Sequence, residues 1–193
     1  MEMSSFFYSL VHTEFGEAVV IGKQAGDRVA ACRIMLPQQG LKAAEIVEAE
    51  FPGAVFVPDA CGKICRNISY FLQGKQVVFD PADIDAGCVQ GFTRRVLTMA
   101  AEIPRGRVMT YGGLATAIGV PGGARAVGNA LAGNLFPLIF PCHRVIKMNR
   151  TLGGFGGGVK LKRALLELEG VSFDRRGRVK PSHILDRGLC SPA

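Results

Sequence analysis

The chain has 193 residues, of which 48% are apolar, and carries 23 Lys and Arg against 16 Asp and Glu for a net charge of +7. That composition excludes a disordered polypeptide and leaves room for one large domain or two small ones with cores of their own. The first ten residues lack a basic patch followed by an apolar run, and no apolar stretch is long enough to span a bilayer. Neither a secretory signal nor a membrane anchor is therefore expected, and an intracellular, cytoplasmic or nuclear location is.

The first third alternates short apolar runs with polar, Gly-bearing segments. Phe6–Val11, Ala18–Ile21 and Val29–Ile34 read as strands joined by tight turns, which predicts a small antiparallel sheet. Leu41–Glu50 has apolar residues at helical spacing, and Cys61–Leu72 reads as a second helix stopped by Gly74. Val77–Gly87 is Asp- and Pro-rich and non-periodic, and places a domain boundary at residue 87. Beyond it the pattern turns helical. Val89–Glu102 carries Phe92, Val96, Leu97 and Ala100 on one face, and Pro104-Arg105-Gly106 breaks it. A short helix capped by Thr110, a turn at Gly119–Gly123 and a second helix over Ala124–Ala132 form a helix-turn-helix pattern. Ala124, Ala126, Gly128 and Ala132 keep that second helix thin, with few long side chains for reading bases, which suits sequence-tolerant contact with DNA.

Charge separates the two halves. Residues 1–87 hold seven Lys and Arg against eleven Asp and Glu, and residues 88–193 hold sixteen against five, so a polyanion is the natural partner of the second half. The segment Leu138–Ile146 is the chemical centre, an apolar strand running into Pro141-Cys142-His143-Arg144-Val145. A thiolate nucleophile needs a nearby imidazole or cation. Neighbouring side chains on a strand point to opposite faces. Cys142 and His143 therefore cooperate only if the chain turns at Pro141 or a water bridges them. Leu152–Gly158 is a glycine-rich loop without phosphate-loop spacing, and Val159–Glu169 is a helix with Leu161, Leu165 and Leu168 on its apolar face.

Five segments, in this order and spacing, resemble the O6-alkylguanine-DNA alkyltransferase family. They are Ile103–Tyr111, Ala124–Ala130 with Gly133-Asn134, Pro141–Val145 and Leu165–Gly170, spread over Phe92 to Gly170. The resemblance is much weaker over the first third. It implies an α+β fold: a small N-terminal α/β domain with an antiparallel sheet (1–87), a mainly helical, winged helix-turn-helix-like domain (88–173) and a basic tail (174–193) containing Arg175-Arg176-Gly177-Arg178. The activity it implies is DNA repair by direct reversal. The alkyl group of O6-alkylguanine, with O4-alkylthymine as a further candidate, moves irreversibly to Cys142 in a single turnover that consumes the protein.

The same resemblance assigns roles. Cys142 is the acceptor, His143 takes its proton through a water, Glu169 accepts a hydrogen bond from His143, and Asn134 holds the turn before the active-site strand. Arg125 fills the space left by a flipped nucleotide, and Tyr111 rotates the phosphate and donates to the guanine. Ala124, Ala126 and Gly128 lie against the minor groove of double-stranded DNA. Pro141, Val145, Phe155 and Gly156 line the base pocket. The chain departs from the family at Gly156, where many members carry serine, at Ala132, where many carry arginine, and at Phe155, where tyrosine is frequent. No cofactor and no oligomer are expected. Some members bind zinc in the N-terminal domain; here Cys32, Cys61, Cys65, Cys88 and His12 show no usual zinc spacing, and no metal is expected. Two other readings compete: a lesion-binding module without chemistry, against which the presence of Cys142 speaks, and an unrelated cysteine hydrolase, which leaves the basic half unexplained.

Overall fold

A computed structural model describes residues 6–38, 40 and 42–185. The chain divides into two compact units, up to Cys88 and from Val89 onward. In the first unit, strands β1 (Phe6–Thr13), β2 (Gly16–Ala25) and β3 (Arg28–Met35) form an antiparallel meander, with Tyr8 opposite Ile21 and Val20 opposite Ile34. Helix α1 (Ala43–Glu50) follows, then a two-residue strand β4 (Val55–Phe56) that pairs in parallel with β1. The sheet order is β3-β2-β1-β4, so its outer edge is parallel where an all-antiparallel sheet was expected. The central strand β2 is buried on both faces, which is why Ala18-Val19-Val20-Ile21 reads as an unbroken apolar run. Val19, Ile21 and Met35 pack with Ala43 and Val47 of α1, and helix α2 (Gly62–Leu72) lies against β1 and buries Ile64, Ile68, Phe71 and Leu72. Among the described residues no group of three or more His, Cys, Asp or Glu side chains is placed to hold a metal ion.

The second unit opens with α3 (Gly91–Ala101), whose Val96, Leu97 and Ala100 are buried. Strand β5 (Met109–Thr110) runs directly into α4 (Tyr111–Ala117), and Thr110 Oγ1 accepts from the Gly113 N–H at 3.0 Å, the expected cap. Helix α5 (Ala124–Ala132) buries Val127, Ala130 and Leu131 against α3 and α4, and leaves Arg125 and Ala126 on its exposed face. Strand β6 (Val145–Ile146) pairs in parallel with β5, Met109 opposite Val145, and α6 (Gly158–Leu168) closes the unit. No helix among the described residues is long and apolar enough to cross a membrane.

Two expectations are corrected here. Leu138–Phe140 is not a strand. It is a tight turn in which Leu138 adopts φ 75° and the Phe140 N–H bonds the Phe136 carbonyl at 2.9 Å. A branched residue in the left-handed region costs about 1–2 kcal/mol, and the burial of Leu138 and Phe136 offsets it. The stretch expected as a basic tail is, from 174 to 185, folded into the second unit. Phe173 bridges to Val179, Ile184 bridges to Val108, and Val171 and Val179 join a core with Val108, Ile146 and Leu166. The remainder of the expected tail, and the Leu41 start of the first expected helix, lie outside the described residues.

Candidate active site

The site is assembled on the parallel pair β5–β6. At one end β5 delivers Tyr111, and immediately before β6 the chain carries Cys142 and His143. The chain does turn at Pro141. Cys142–Arg144 form one 3-10 turn closed by the Arg144 N–H on the Pro141 carbonyl at 2.9 Å, which removes the opposite-face geometry of a continuing strand. Asn134, just beyond the end of α5, fixes this turn from behind. Its Oδ1 accepts from the Phe136 N–H at 3.0 Å, and its Nδ2 donates to the Phe140 carbonyl at 2.8 Å and faces Cys142 Sγ at 3.3 Å.

From His143 the network runs inward. His143 and the Glu169 side chain are fully buried, and His143 Nε2 lies 2.9 Å from Glu169 Oε1. Because an ionised carboxylate only accepts, Nε2 carries the proton and Nδ1 is the basic nitrogen. Arg144 grips the same carboxylate from Nε (3.0 and 3.1 Å) and Nη2 (2.7 Å) and anchors on the Ile103 carbonyl through Nη1 at 2.6 Å. The Gly106 N–H approaches Glu169 Oε2 at 3.5 Å. Gly106 has φ 78° and lies so close to the Glu169 carbonyl that a Cβ would sit 3.0 Å from it, so the loop reaches α6 only with glycine there.

The electrostatics follow from this packing. Burial pushes the Glu169 carboxyl up, but hydrogen bonds from His143 and Arg144 outweigh it and hold it at about 2. Burial pushes His143 down, against the pull of Glu169, so the resting imidazole is neutral. Burial pushes the Cys142 thiol up, and the Asn134 amide and the Lys162 ammonium work in the opposite direction. Lys162 is itself buried. Its Nζ donates to the Val145 carbonyl at 2.7 Å and lies 5.8 Å from the Tyr111 ring centroid, and burial brings it down to about 8. The Tyr111 phenol is raised by burial and by the neighbouring Cys142.

The structure thus brings Cys142, His143, Glu169, Asn134, Tyr111 and Val145 into one cluster. Phe155 packs edge-on to His143, with centroids 6.4 Å apart at 75°. Gly153 lies under Tyr111, where a Cβ would stand 2.3 Å from the phenol oxygen. Gly128 of α5 faces the same ring, and a Cβ there would lie 3.9 Å from it. Gly156 is exposed, with open space where a side chain would stand, and Pro141 is buried. Ala124 is half-buried at the start of α5, and Arg125 and Ala126 are outside the thiol network on the exposed face. Two further residues join the site. Arg144 stands in the Pro141–Val145 motif, which by itself gives it no role. Lys162 lies outside the apolar stripe, but it stands seven positions before Glu169 and so shares its helical face, which is the signal that would have found it.

Comparison with known proteins bears on this geometry. The family model described as 6-O-methylguanine DNA methyltransferase, DNA binding domain, matches residues 91–171. A methylated-DNA–protein-cysteine methyltransferase of Methanothermobacter thermautotrophicus is 45% identical over 117 residues, 61% of this chain and 65% of the relative. One from Mycobacterium tuberculosis is 51% identical over 112 residues, 58% of this chain and 67% of the relative. The matched part therefore spans about two thirds of these relatives' length. The crystal structure of the M. tuberculosis O6-methylguanine methyltransferase superposes with a TM-score of 0.68 at 31% identity, covering 85% of this chain and 92% of that one. The O6-methylguanine-DNA methyltransferase of Pyrococcus kodakaraensis gives 0.63 at 25% identity, with 86% and 99% covered. With 51% identity over 67% of one M. tuberculosis relative, and 92% of a solved M. tuberculosis structure covered at 31% identity, the chain belongs to the methylated-DNA–protein-cysteine methyltransferase family.

Proposed function

We propose that this chain repairs duplex DNA by transferring the alkyl group of O6-alkylguanine to Cys142 Sγ, once per molecule and without a cofactor. The observation that carries the reading is a buried thiol facing Asn134, one residue before a buried imidazole held by Glu169 and Arg144, which gives that imidazole a fixed anion. His143 Nδ1 takes the thiol proton through a water, and Glu169 stabilises the imidazolium that results. The thiolate attacks the alkyl carbon; the S–C bond forms as the C–O6 bond breaks, and the electron pair stays with the guanine. Protonation of the departing base, with Tyr111 as the hydrogen-bond donor beside it, returns ordinary guanine. In net terms the thiol proton goes to guanine and the alkyl group to sulfur.

The lesion must leave the stack to reach a buried thiol. Arg125, exposed on α5, is suited to occupy the vacated space, and the small surface of Ala124, Ala126 and Gly128 lets α5 sit close to a minor groove. Pro141, Val145, Phe155 and Gly156 form the walls around the base, with backbone groups of Cys142, Val145 and Gly156 as partners for its edge. The basic second unit supports a polyanionic partner, as does the M. tuberculosis OGT structure solved in complex with DNA, which superposes with a TM-score of 0.66. We read the protein as a monomer on DNA. The test is intact mass after incubation with a duplex carrying one O6-methylguanine, beside Cys142→Ala. A gain of about one methylene in the wild type alone is the expected result for a thiolate acceptor. Tight binding with no mass gain would favour a lesion-binding module instead.

A further inference from the structure

The segment after α6 bonds to the chain just before β5 and just after β6. On the β5 side, the Val108 N–H donates to the His183 carbonyl at 2.9 Å and the Leu185 N–H to the Val108 carbonyl at 2.8 Å, a parallel bridge that extends the β5–β6 pair by a third chain. Arg107 Nη2 donates to the Ile184 carbonyl at 3.2 Å. On the β6 side, the Val179 N–H donates to the Arg150 carbonyl at 3.0 Å, and Arg150 Nη1 donates back to the Val179 carbonyl at 3.3 Å.

His183 joins this segment to the carboxylate network. The Ser172 backbone N–H and hydroxyl face its Nε2 at 3.2 and 2.9 Å. A backbone N–H can only donate, so Nε2 is an acceptor, and the ring proton sits on Nδ1, which donates to the Gly106 carbonyl at 3.0 Å. Gly106 is the residue whose N–H points at Glu169 Oε2, and the neighbouring Arg105 donates to the Leu168 carbonyl at 2.7 Å. A line of contacts therefore runs Ser172–His183–Gly106–Glu169–His143, and it starts outside the segments that carry the alkyltransferase resemblance.

We infer that residues 172–185 are a strap that holds the thiol network in register, with His183 as a positioning residue acting through Gly106 on Glu169. The inference rests on the proposed alkyl transfer for its biological meaning, but its physical claim concerns the reactivity of Cys142 alone. If Gly106 drifts, the loop from Ile103 to Gly106 loosens, and that loop supplies the carbonyl that anchors Arg144 and the N–H that approaches Glu169. The base behind Cys142 is then less well aimed.

The test uses the full chain. His183→Phe keeps a ring in place and removes all three contacts of the imidazole nitrogens; His183→Asn returns an amide donor near the Nδ1 position. Three quantities are read: methyl transfer from an O6-methylguanine duplex, carboxamidomethylation of Cys142 by iodoacetamide followed on the Cys142 peptide, and affinity for undamaged duplex. His183→Phe is expected to slow both reactions about tenfold, the rate equivalent of one lost positioning hydrogen bond, with duplex affinity unchanged. His183→Asn is expected to recover most of that loss. Should His183→Phe fail to fold, Ser172→Ala, which strips one hydroxyl from Nε2, is read the same way with an expected effect of about threefold. Wild-type iodoacetamide reactivity in a folded His183→Phe protein, or a His183→Asn protein as slow as His183→Phe, overturns the strap. Absence of methyl transfer by the wild type would instead sink the proposed function, and the iodoacetamide comparison would still decide the strap.

Discussion

Replacing Glu169 with glutamine tests the centre of the network with the smallest change of shape. The wild-type carboxyl stands at about 2, against 4.5 for an ordinary glutamate. At about 1.4 kcal/mol per tenfold in acidity, its charged form contributes up to roughly 3 kcal/mol of stability at neutral pH. The sign is that of a depressed acid: the contribution is complete above the unfolded value of 4.5 and is lost as pH falls toward about 2. Glutamine keeps one acceptor for His143 or Arg144 but leaves a guanidinium only 12% exposed without its anion, a loss already contained in the depression of the carboxyl. The wild type should thus exceed Glu169→Gln by about 3 kcal/mol in urea unfolding at pH 7, and by less than half of that carboxylate term at pH 3. Other carboxylates titrate alike in both proteins and cancel in the difference. Methyl transfer should fall about a hundredfold, since the imidazolium formed at His143 loses its counter-charge. A stability difference that stays flat from pH 7 to pH 3 would refute the claim that an ionised Glu169 is what the site is built around.

Lys162→Met should separate stability from activity. Burial holds the amine at about 8 instead of 10.5, a charge penalty present at neutral pH that vanishes as pH rises through that interval. The variant should therefore be more stable at pH 7, by about 2 kcal/mol after the lost bond to Val145, and no more stable than wild type at pH 10.5, while iodoacetamide reacts more slowly with Cys142; equal stability difference at both pH values contradicts this. Asn134→Asp keeps the acceptor for the Phe136 N–H but loses the donor to the Phe140 carbonyl and turns an anion toward Sγ. It should cost about 2 kcal/mol and raise the apparent pKa of Cys142, read from the pH dependence of thiol alkylation; an unchanged profile argues against the Asn134 contact. Arg125→Ala, on an exposed face, should unfold within about 0.5 kcal/mol of wild type yet slow transfer from duplex far more than transfer from free O6-methylguanine base; equal slowing of both would remove Arg125 from nucleotide flipping.

What the sequence made legible follows from how local each signal is. The β1–β3 meander and α3–α6 carry periodic apolar residues and punctuating Gly or Pro, and their positions are readable to within a residue or two except at the end of β2, which continues four residues past Ile21 through the polar stretch to Ala25. Strand β4 is two residues long and exists only because β1 offers an open edge, so no periodicity announces it. Leu138–Phe140 has the composition of a strand, and what makes it a turn is a side chain four residues away: Asn134 supplies the hydrogen bonds that a strand partner would have supplied. Cys142, His143 and Glu169 were readable through motif spacing. The grip of Arg144 on Glu169 was not, since it depends on a turn at Pro141 that aims Arg144 inward. The folded C-terminal stretch is masked by its arginines. Four apolar residues, Val171, Phe173, Val179 and Ile184, are scattered among charges, and only the three-dimensional pairing with Val108 shows that they share a core.

The position of Glu169, twenty-six residues after His143 and on the far side of α6, has a consequence during synthesis. The ribosome makes Cys142 before it makes the carboxylate that arms its base, and before the residues that hold Gly106. A nascent chain ending near Gly157 carries the thiol and the imidazole but no α6, so the imidazole stands without its fixed anion. If the proposed single transfer holds, the order of synthesis keeps the complete Cys142–His143–Glu169 set from existing before the fold around it does. The base acquires its counter-charge only once α6 has been made, and the loop around Gly106 acquires its His183 contact later still.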